Sequence, residues 1–383
     1  MTREHDPERD FERWLEDGVR SAPSGTRAAV RSRVRTTRQR PWWLVRDRGD
    51  RFEDAFRLPR RSIQVAFATM ALIVAVGILS EVLEGPTNRV GQEPLASPTV
   101  TTIPIPDLQD PAGVGVGFGS VWVGTTAVPR VHRVDPGTGA ITDVPAPRRD
   151  CGLIATFGGA IWLPPCSEGP LARIDPATNA AASLSYTDQR QISLQIPFEG
   201  DRAWVSIDVD GGIFVEIDPT GREVARGQIE GLGSVAAAGF GSLWAAQAST
   251  REVVRLGMET REPVASIPTE LPPDFIVVTT DAVWVTTGVE GARRGEVLRI
   301  DPRTNKIVAR IPFGTWALSM ATDGSSVWVL EGFTSARLHR IDPATDAVAQ
   351  TVYLGSRAGY LAVDGKTIWV STTGGLIRVE NAP

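Results

Sequence analysis

The chain has 383 residues, 42% apolar and 22% charged, which suits a globular protein and excludes a wholly disordered one. Its formal charge of −5 hides an asymmetry: residues 1–61 hold 16 arginines against 11 acids, so residues 62–383 sum to −10. An acidic body lacks the clustered Lys and Arg that neutralise phosphate, which excludes nucleic acid as its partner, and a basic head beside it points to two different surroundings.

Residues 1–61 form the Arg-rich head. Asp6-Pro7-Glu8 is a helix start, with an N-cap acceptor, proline at the first helical position and an acid facing the dipole. Phe11, Trp14, Leu15 and Val19 then share one helical face, and Ser21 to Gly25 break the helix. This is too little apolar surface to bury a core alone. Two readings follow. The head is an Arg-rich tail that touches anionic lipid, or its Phe11/Trp14/Leu15 face docks on a cytoplasmic partner. The run Phe11-x-x-Trp14-Leu15-x-Asp17-Gly18, followed by Thr37-Arg38-Gln39-Arg40-Pro41-Trp42-Trp43, resembles the short cytoplasmic heads of actinobacterial membrane proteins found with extracytoplasmic-function sigma factors. That resemblance implies an anti-sigma-like segment with a sigma factor as partner. The head has no cysteine and His5 is its only histidine, so no zinc motif accompanies it.

Residues 62–81 read as a membrane span. No charge occurs from Ser62 through Ser80, which meets the ~20 residues needed to cross a hydrocarbon core. Arg57, Arg60 and Arg61 precede the run and Glu81 and Glu84 follow it, so the positive-inside rule puts the N-terminus in the cytoplasm and the C-terminal body outside. A cleaved signal or a twin-arginine signal at Arg60-Arg61 is the alternative, but the run starts far later than a signal peptide does, which favours an uncleaved signal anchor. Residues 82–98, rich in Pro, Thr, Gly and Glu, read as a flexible tether.

From residue 99 onward the chain repeats itself. Gly119-Ser120-Val121-Trp122-Val123-Gly124 is echoed around Trp162, Trp204, Trp244, Trp284, Trp328 and Trp369, at intervals of 40, 42, 40, 40, 44 and 41 residues. Short apolar strands between turns with a period in the forties predict propeller blades. Each repeat offers an inner strand of small apolar residues, the Trp strand, a third strand ending in Asp-Pro (Asp135-Pro136, Asp175-Pro176, Asp218-Pro219, Asp301-Pro302, Asp342-Pro343) and an outer strand. Asp then Pro favours a tight turn. Blade four departs, with Gly257-Met258 at that place. The last repeat stops after its third strand, at Arg378-Val379-Glu380. Val100-Thr101-Thr102-Ile103-Pro104 carries the pattern of an outer strand. The fold predicted for 99–383 is therefore an all-β, seven-bladed propeller closed by its first strand, which also removes the unpaired edges. Seven tryptophans at one register predict packing between blades rather than ligand stacking.

Cys151 and Cys166 are the only cysteines. If the first hairpin of blade two turns about Gly158-Gly159, paired positions sum to 317, as 151 and 166 do, and a disulfide is expected in an oxidising compartment. His132 and His339 occupy equivalent places just before the turns and read as packing residues. No metal site, cofactor site, phosphate loop or nucleophile motif is evident, and no catalytic residue is assigned.

The cadence Gly-Ser-Val-Trp-Val, Arg-Ile-Asp-Pro-x-Thr-Asn, Ile-Pro resembles the bacterial YVTN/quinoprotein-like (WD40-like) repeat propellers and the streptogramin B lyase group. It implies the propeller fold, and for the lyases a histidine base and a metal-binding acid on one face. A ligand would meet the face formed by the loops into the inner strands and those between second and third strands. That face is predicted to gather Arg149, Arg190, Asp208, Asp210, Asp274, Arg293, Arg294, Trp316, Glu331, Arg357 and Tyr360, as a polar pocket with stacking walls or as solvated loop charge. Thr286 to Gly295 is its longest loop, the one expected to be mobile or to contact a partner. The functions these features allow are a ligand- or protein-binding sensor coupled to a cytoplasmic regulator, a surface-tethered lyase or hydrolase, and an assembly scaffold.

Overall fold

The protein is described by a computed structural model for residues 97–147, 149, 152–164, 170–186, 195–208, 212–228, 235–289, 294–332 and 335–380. The expected head with Phe11, Trp14 and Leu15, the apolar run 62–81, and Cys151 and Cys166 lie outside these residues. No helix occurs among the described residues, and none there is long and apolar enough to cross a membrane.

Seven four-stranded antiparallel sheets make up the body. Blade 1 runs through Val114–Gly117, Ser120–Gly124, Arg130–Val134 and Ile141–Pro145 as inner, Trp, third and outer strands. Blades 2 to 6 repeat this order. In blade 7 the outer strand is Thr99–Pro104, which pairs with Gly375–Glu380 in the register Val100–Val379, Thr102–Ile377 and Pro104–Gly375. The closing strand expected from sequence is the one observed.

Strands alternate in direction, so the inner-to-Trp turns and the third-to-outer turns share one face, here called the turn face. The Met258 amide donating to the Gly241 carbonyl at 3.2 Å joins two such turns. The other connections share the opposite loop face. The inner strands surround a central cavity of about 240 Å³ lined by Val114, Ile154, Ile196, Val277, Met320 and Leu361 from six blades. They pack so closely that a Cβ on Gly115 would stand 2.6 Å from the Ile154 carbonyl oxygen, which is why the inner strands are glycine- and alanine-rich.

The core is not one mass but a set of seams. Trp122 packs with Ile154, Ile161, Leu163 and Ile174 of blade 2, Trp284 with Met320, Val327, Val329 and Ile341 of blade 6, and Trp369 with Val114, Val121, Val123 and Val134 of blade 1. Trp162, Trp204, Trp244 and Trp328 each reach the following blade in the same way. The tryptophans are packing residues, and the cluster at Trp369 closes the ring.

Beside each buried indole stands its cross-strand partner, an arginine in six blades. Arg133, Arg255 and Arg299 lie 5.1, 4.7 and 5.2 Å from the ring centroids of Trp122, Trp244 and Trp284. Each also donates forward into the next blade's turn. Arg133 reaches the Pro176 carbonyl at 2.7 Å and Asn179 Oδ1 at 3.1 Å, and Arg299 reaches the Pro343 carbonyl and Asp346 Oδ1, both at 2.9 Å. The Asp-Pro turn is shaped to receive this, because its aspartate caps its own amides: Asp135 Oδ1 accepts from Gly137 and Thr138 at 2.9 and 2.7 Å. The last turn residue is left-handed, with φ of 59° at Asn179, 54° at Asn305 and 50° at Asp346.

Blade 3 explains the irregular turn of blade 4. Trp204 is paired with Glu216 instead of an arginine, and the turn it faces ends in Arg261 (φ 58°) instead of Asn or Asp. Arg261 donates to Glu216 Oε2 at 3.2 Å, so the cation and the acceptor have changed sides. Glu216→Arg and Arg261→Asn should each cost ~1–3 kcal/mol, while the double variant, which restores the arrangement seen at Arg133 and Arg255, should recover most of it. Chemical denaturation of the four proteins in this cycle measures the coupling. Trp284→Ala should cost ~3–5 kcal/mol in the same assay, because the seam cannot close over the missing ring.

Candidate functional site

The loop face is built from what the repeat does not dictate. Of the residues expected there, Arg190, Asp210 and Arg293 lie outside the described residues. Asp208 ends the Trp strand of blade 3 (Arg202–Asp208), where a register shift between Ser206 and Asp208 bends the chain. Arg149 is exposed and donates to the Thr126 carbonyl at 3.3 Å.

Asp274, Trp316, Glu331 and Arg294 come together around blades 5 and 6. Trp316 precedes the inner strand of blade 6 (Ala317–Thr322), packs on the seam between blades 6 and 7, and donates from Nε1 to Asp274 Oδ2 at 2.8 Å. Asp274 sits in the inner strand of blade 5 (Pro273–Val278). Burial pushes its carboxyl up to about 6, against the indole donor, which favours the charged form. Arg294 lies where the Thr286–Gly295 connection rejoins blade 5, bonded to Glu270 at 2.9 Å and Glu296 at 3.0 Å, with Arg310 against the same two acids at 3.6 and 3.4 Å.

Glu331, fully buried, is held by four donors: the Thr315 amide at 2.7 Å and hydroxyl at 2.9 Å, Arg337 at 2.6 Å and His339 Nε2 at 2.7 Å. Burial alone would raise this carboxyl, but His339 and both Thr315 donors outweigh it and hold it below the ordinary range. Burial likewise depresses His339, so its neutral ring donates from Nε2 while Nδ1 accepts from the Thr351 hydroxyl at 2.9 Å. Gly314 makes room for the carboxylate, since a Cβ there would lie 2.2 Å from Glu331 Oε1.

Arg357 and Tyr360 belong elsewhere. Arg357 bonds Asp110 at 2.9 Å, and Tyr360 packs in the seam between blades 7 and 1, away from the seam that holds Trp316. The two aromatic walls expected from sequence are therefore not one pocket. The histidines are buried in the third strands, as expected of packing residues. Both are mid-strand and lean toward the loop-face end: His132 Nδ1 meets Asp143 at 2.8 Å and its Nε2 lies 3.3 Å from Asp107, which Arg130 also holds at 2.8 Å. The acids Asp107, Asp110, Glu270 and Glu296 were missed in the sequence, where Asp110 stands 247 positions from its partner and nothing marks them as pairs.

No protein-family model matches the chain, nor does any curated protein. Among solved structures, the chain is similar to virginiamycin B lyase from Staphylococcus aureus (TM-score 0.58, 14% identity, covering 74% of this chain and 99% of that one). It is also similar to BamB from Moraxella catarrhalis (TM-score 0.50, 15% identity, 70% and 84%) and to a chain of the mitotic checkpoint complex (TM-score 0.60, 12% identity, 76% and 96%). The likeness is one of fold. This chain is a seven-bladed β-propeller.

Two opposite pH effects follow from the site. Asp274 binds its proton more tightly folded than unfolded, so stability falls as pH rises from about 4 to about 6. Asp274→Asn should therefore raise the melting temperature at pH 8, with the gain fading by pH 4. Glu331 contributes stability above the ordinary carboxylate range that is lost as pH falls through its lowered value, so Glu331→Gln should be destabilising at pH 7 and progressively less so in acid. Thermal unfolding of both variants at pH 4, 6 and 8 tests the pair.

Proposed function

We propose that the chain is a membrane-anchored extracytoplasmic propeller that binds a ligand or protein on its loop face and communicates with a cytoplasmic regulator such as a sigma factor through its head. The observation that carries the binding reading is the Trp316–Asp274 pair. An aromatic edge and a half-buried acid are set on the inner side of the loop face, braced by the Glu331 network and flanked by the Arg294 charges. Such a preorganised polar site with an aromatic wall suits recognition. The topology rests on the uncharged run from Ser62 to Ser80 and its flanking charges.

Purified residues 1–61 should retain a sigma factor of the source organism in pull-downs, and Phe11→Ala/Trp14→Ala should abolish this. Retention of none would remove the regulatory half of the reading. Trp316→Ala should weaken binding at the loop face without lowering the melting temperature as far as loss of a seam tryptophan does.

The likeness to virginiamycin B lyase supports a second reading, a surface-tethered lyase or hydrolase using loop-face carboxylates. His339 and Glu331 do not suit it, being buried and bonded to each other. Calorimetry with Mg²⁺ and Ca²⁺ separates the readings: metal binding abolished by Asp208→Asn/Asp210→Asn would favour the enzyme.

The hairpin of blade 2 pairs Ala155 with Trp162, Thr156 with Ile161 and Phe157 with Ala160, the register that sums to 317. A Cys151–Cys166 disulfide, whose positions sum to the same number, would fit an extracytoplasmic body. Intact-mass measurement under non-reducing conditions should show two fewer hydrogens than the reduced chain, and reduction should cost about 3 kcal/mol.

A further inference from the structure

Asp274 is an acid that the ring does not ask for. It sits in a bulge of the blade 5 inner strand: Pro273 is opposite Thr287 and Ile276 opposite Val285, so Asp274 and Phe275 together face Thr286, whose hydroxyl accepts from the Phe275 amide at 2.9 Å. Blade 7 builds the same bulge, with Ala358 opposite Thr372, Leu361 opposite Val370 and the Tyr360 amide donating to the Ser371 hydroxyl at 3.1 Å, but Gly359 stands in the acid's place. Three residues before the residue opposite each tryptophan, the remaining blades have Ala112, Gly152, Leu194, Ser234 and Leu318. The bulge needs no carboxylate.

Nor does Asp274 find a charge to pair with. Its Oδ2 accepts from the Trp316 indole at 2.8 Å, and its Oδ1 has no partner among the described residues. Burial and that one neutral donor set its carboxyl, with no charged side chain contributing. The cations nearby on this face are already engaged, Arg294 and Arg310 with Glu270 and Glu296, and Arg337 with Glu331. A half-buried carboxylate without a cation costs the fold stability unless something from outside neutralises it. A second unmet acceptor stands close by. Gln195 crosses from blade 3 to donate from Nε2 to the carbonyl of Ile276, two residues from Asp274, at 3.5 Å, while its Oε1 is buried without a donor.

These groups define the chemistry of what binds. Both lack a donor, and Asp274 lacks one that carries positive charge. A metal ion needs more ligands than this, and no set of three acids, histidines or cysteines able to hold one occurs among the described residues. A guanidinium is recognised best by both oxygens of a carboxylate, and Trp316 already engages one of them. An ammonium suits the place, since its three N–H donors can serve Asp274 Oδ1 and still bond water.

We infer that the loop face binds a primary ammonium group, presented by a free amine or by a lysine side chain, with Asp274 Oδ1 as its counter-ion and Trp316 holding the carboxylate in place. The inference rests on the loop-face recognition proposed above and gives it a ligand class. The purified full-length chain is titrated by ligand-observed NMR at pH 7.5 with pentylamine, with an acetylated and amidated Ala-Lys-Ala peptide, and with pentanol and pentanoate as tail-matched controls. Saturable binding is expected for pentylamine or the peptide, roughly tenfold tighter than for either control, and the tighter of the two tells a free amine from a lysine side chain. Asp274→Asn should weaken it by roughly tenfold with a melting temperature at pH 8 no lower than that of the wild type, so the loss is not unfolding. Lowering the pH to 5 should weaken it by about tenfold as well, because a proton then takes the ammonium's place on a carboxyl raised to about 6. Pentanol or pentanoate binding as tightly as pentylamine, no saturable binding of either ammonium probe, or an ammonium affinity unchanged in Asp274→Asn would each overturn the ammonium site. Trp316→Ala judges the loop-face reading separately. If a control binds and this variant weakens it, that reading stands without the ammonium; if every probe that binds does so unchanged in the variant, the reading itself falls.

Discussion

A guanidinium laid over a buried indole and bonded to the next blade's turn, as at Arg133, Arg255, Arg299 and Arg378, is the interaction that sets the register of four of the seven seams. The tryptophan supplies most of the energy, because it removes a large apolar surface from water at every seam. Apolar contact has no direction, however, and two twisted sheets can slide on one another. The arginine supplies the direction: its hydrogen bonds to a carbonyl and an amide or carboxylate oxygen are satisfied in one register only. Seven seams that each slipped slightly could not close a ring.

The blade 3–4 seam shows how strict that demand is. With Glu216 in the arginine's place, the opposite turn abandons Asp-Pro and ends in Arg261, so a cation–acceptor contact survives while both residue types change. A turn that is anomalous as a local sequence is regular as half of a contact. The seam between blades 6 and 7 differs for another reason, since there the third and outer strands are not joined by a turn at all.

Because the seams consume the repeated residues, the two faces are left to differ. The loop face is polar and internally bonded, with Asp274, Glu331, Arg294 and Arg357 each held by a named partner. The turn face carries exposed phenylalanines, Phe118 and Phe240 at the tips of inner-to-Trp turns. The two faces therefore differ in the side chains they carry, in a ring whose blades are otherwise alike.

Blade number, strand order and the closing role of Val100 to Pro104 were legible in the sequence, because strand periodicity and turn chemistry are local and were repeated seven times. The role of the tryptophans was legible for the same reason. The candidate site was only partly so. Asp274, Trp316 and Glu331 could be assigned to one face, but not Trp316 to Asp274 across 42 positions, nor Arg357 to Asp110. Tyr360 and Trp316, which look like companions by loop position, fall in different seams. The sequence by itself determined the ring, since each blade's pattern is written within some forty residues. Only the tertiary structure decided which loop charges meet, why Arg261 replaces the usual turn, and which phenylalanines stay in water, because those depend on distances between blades that no local pattern encodes.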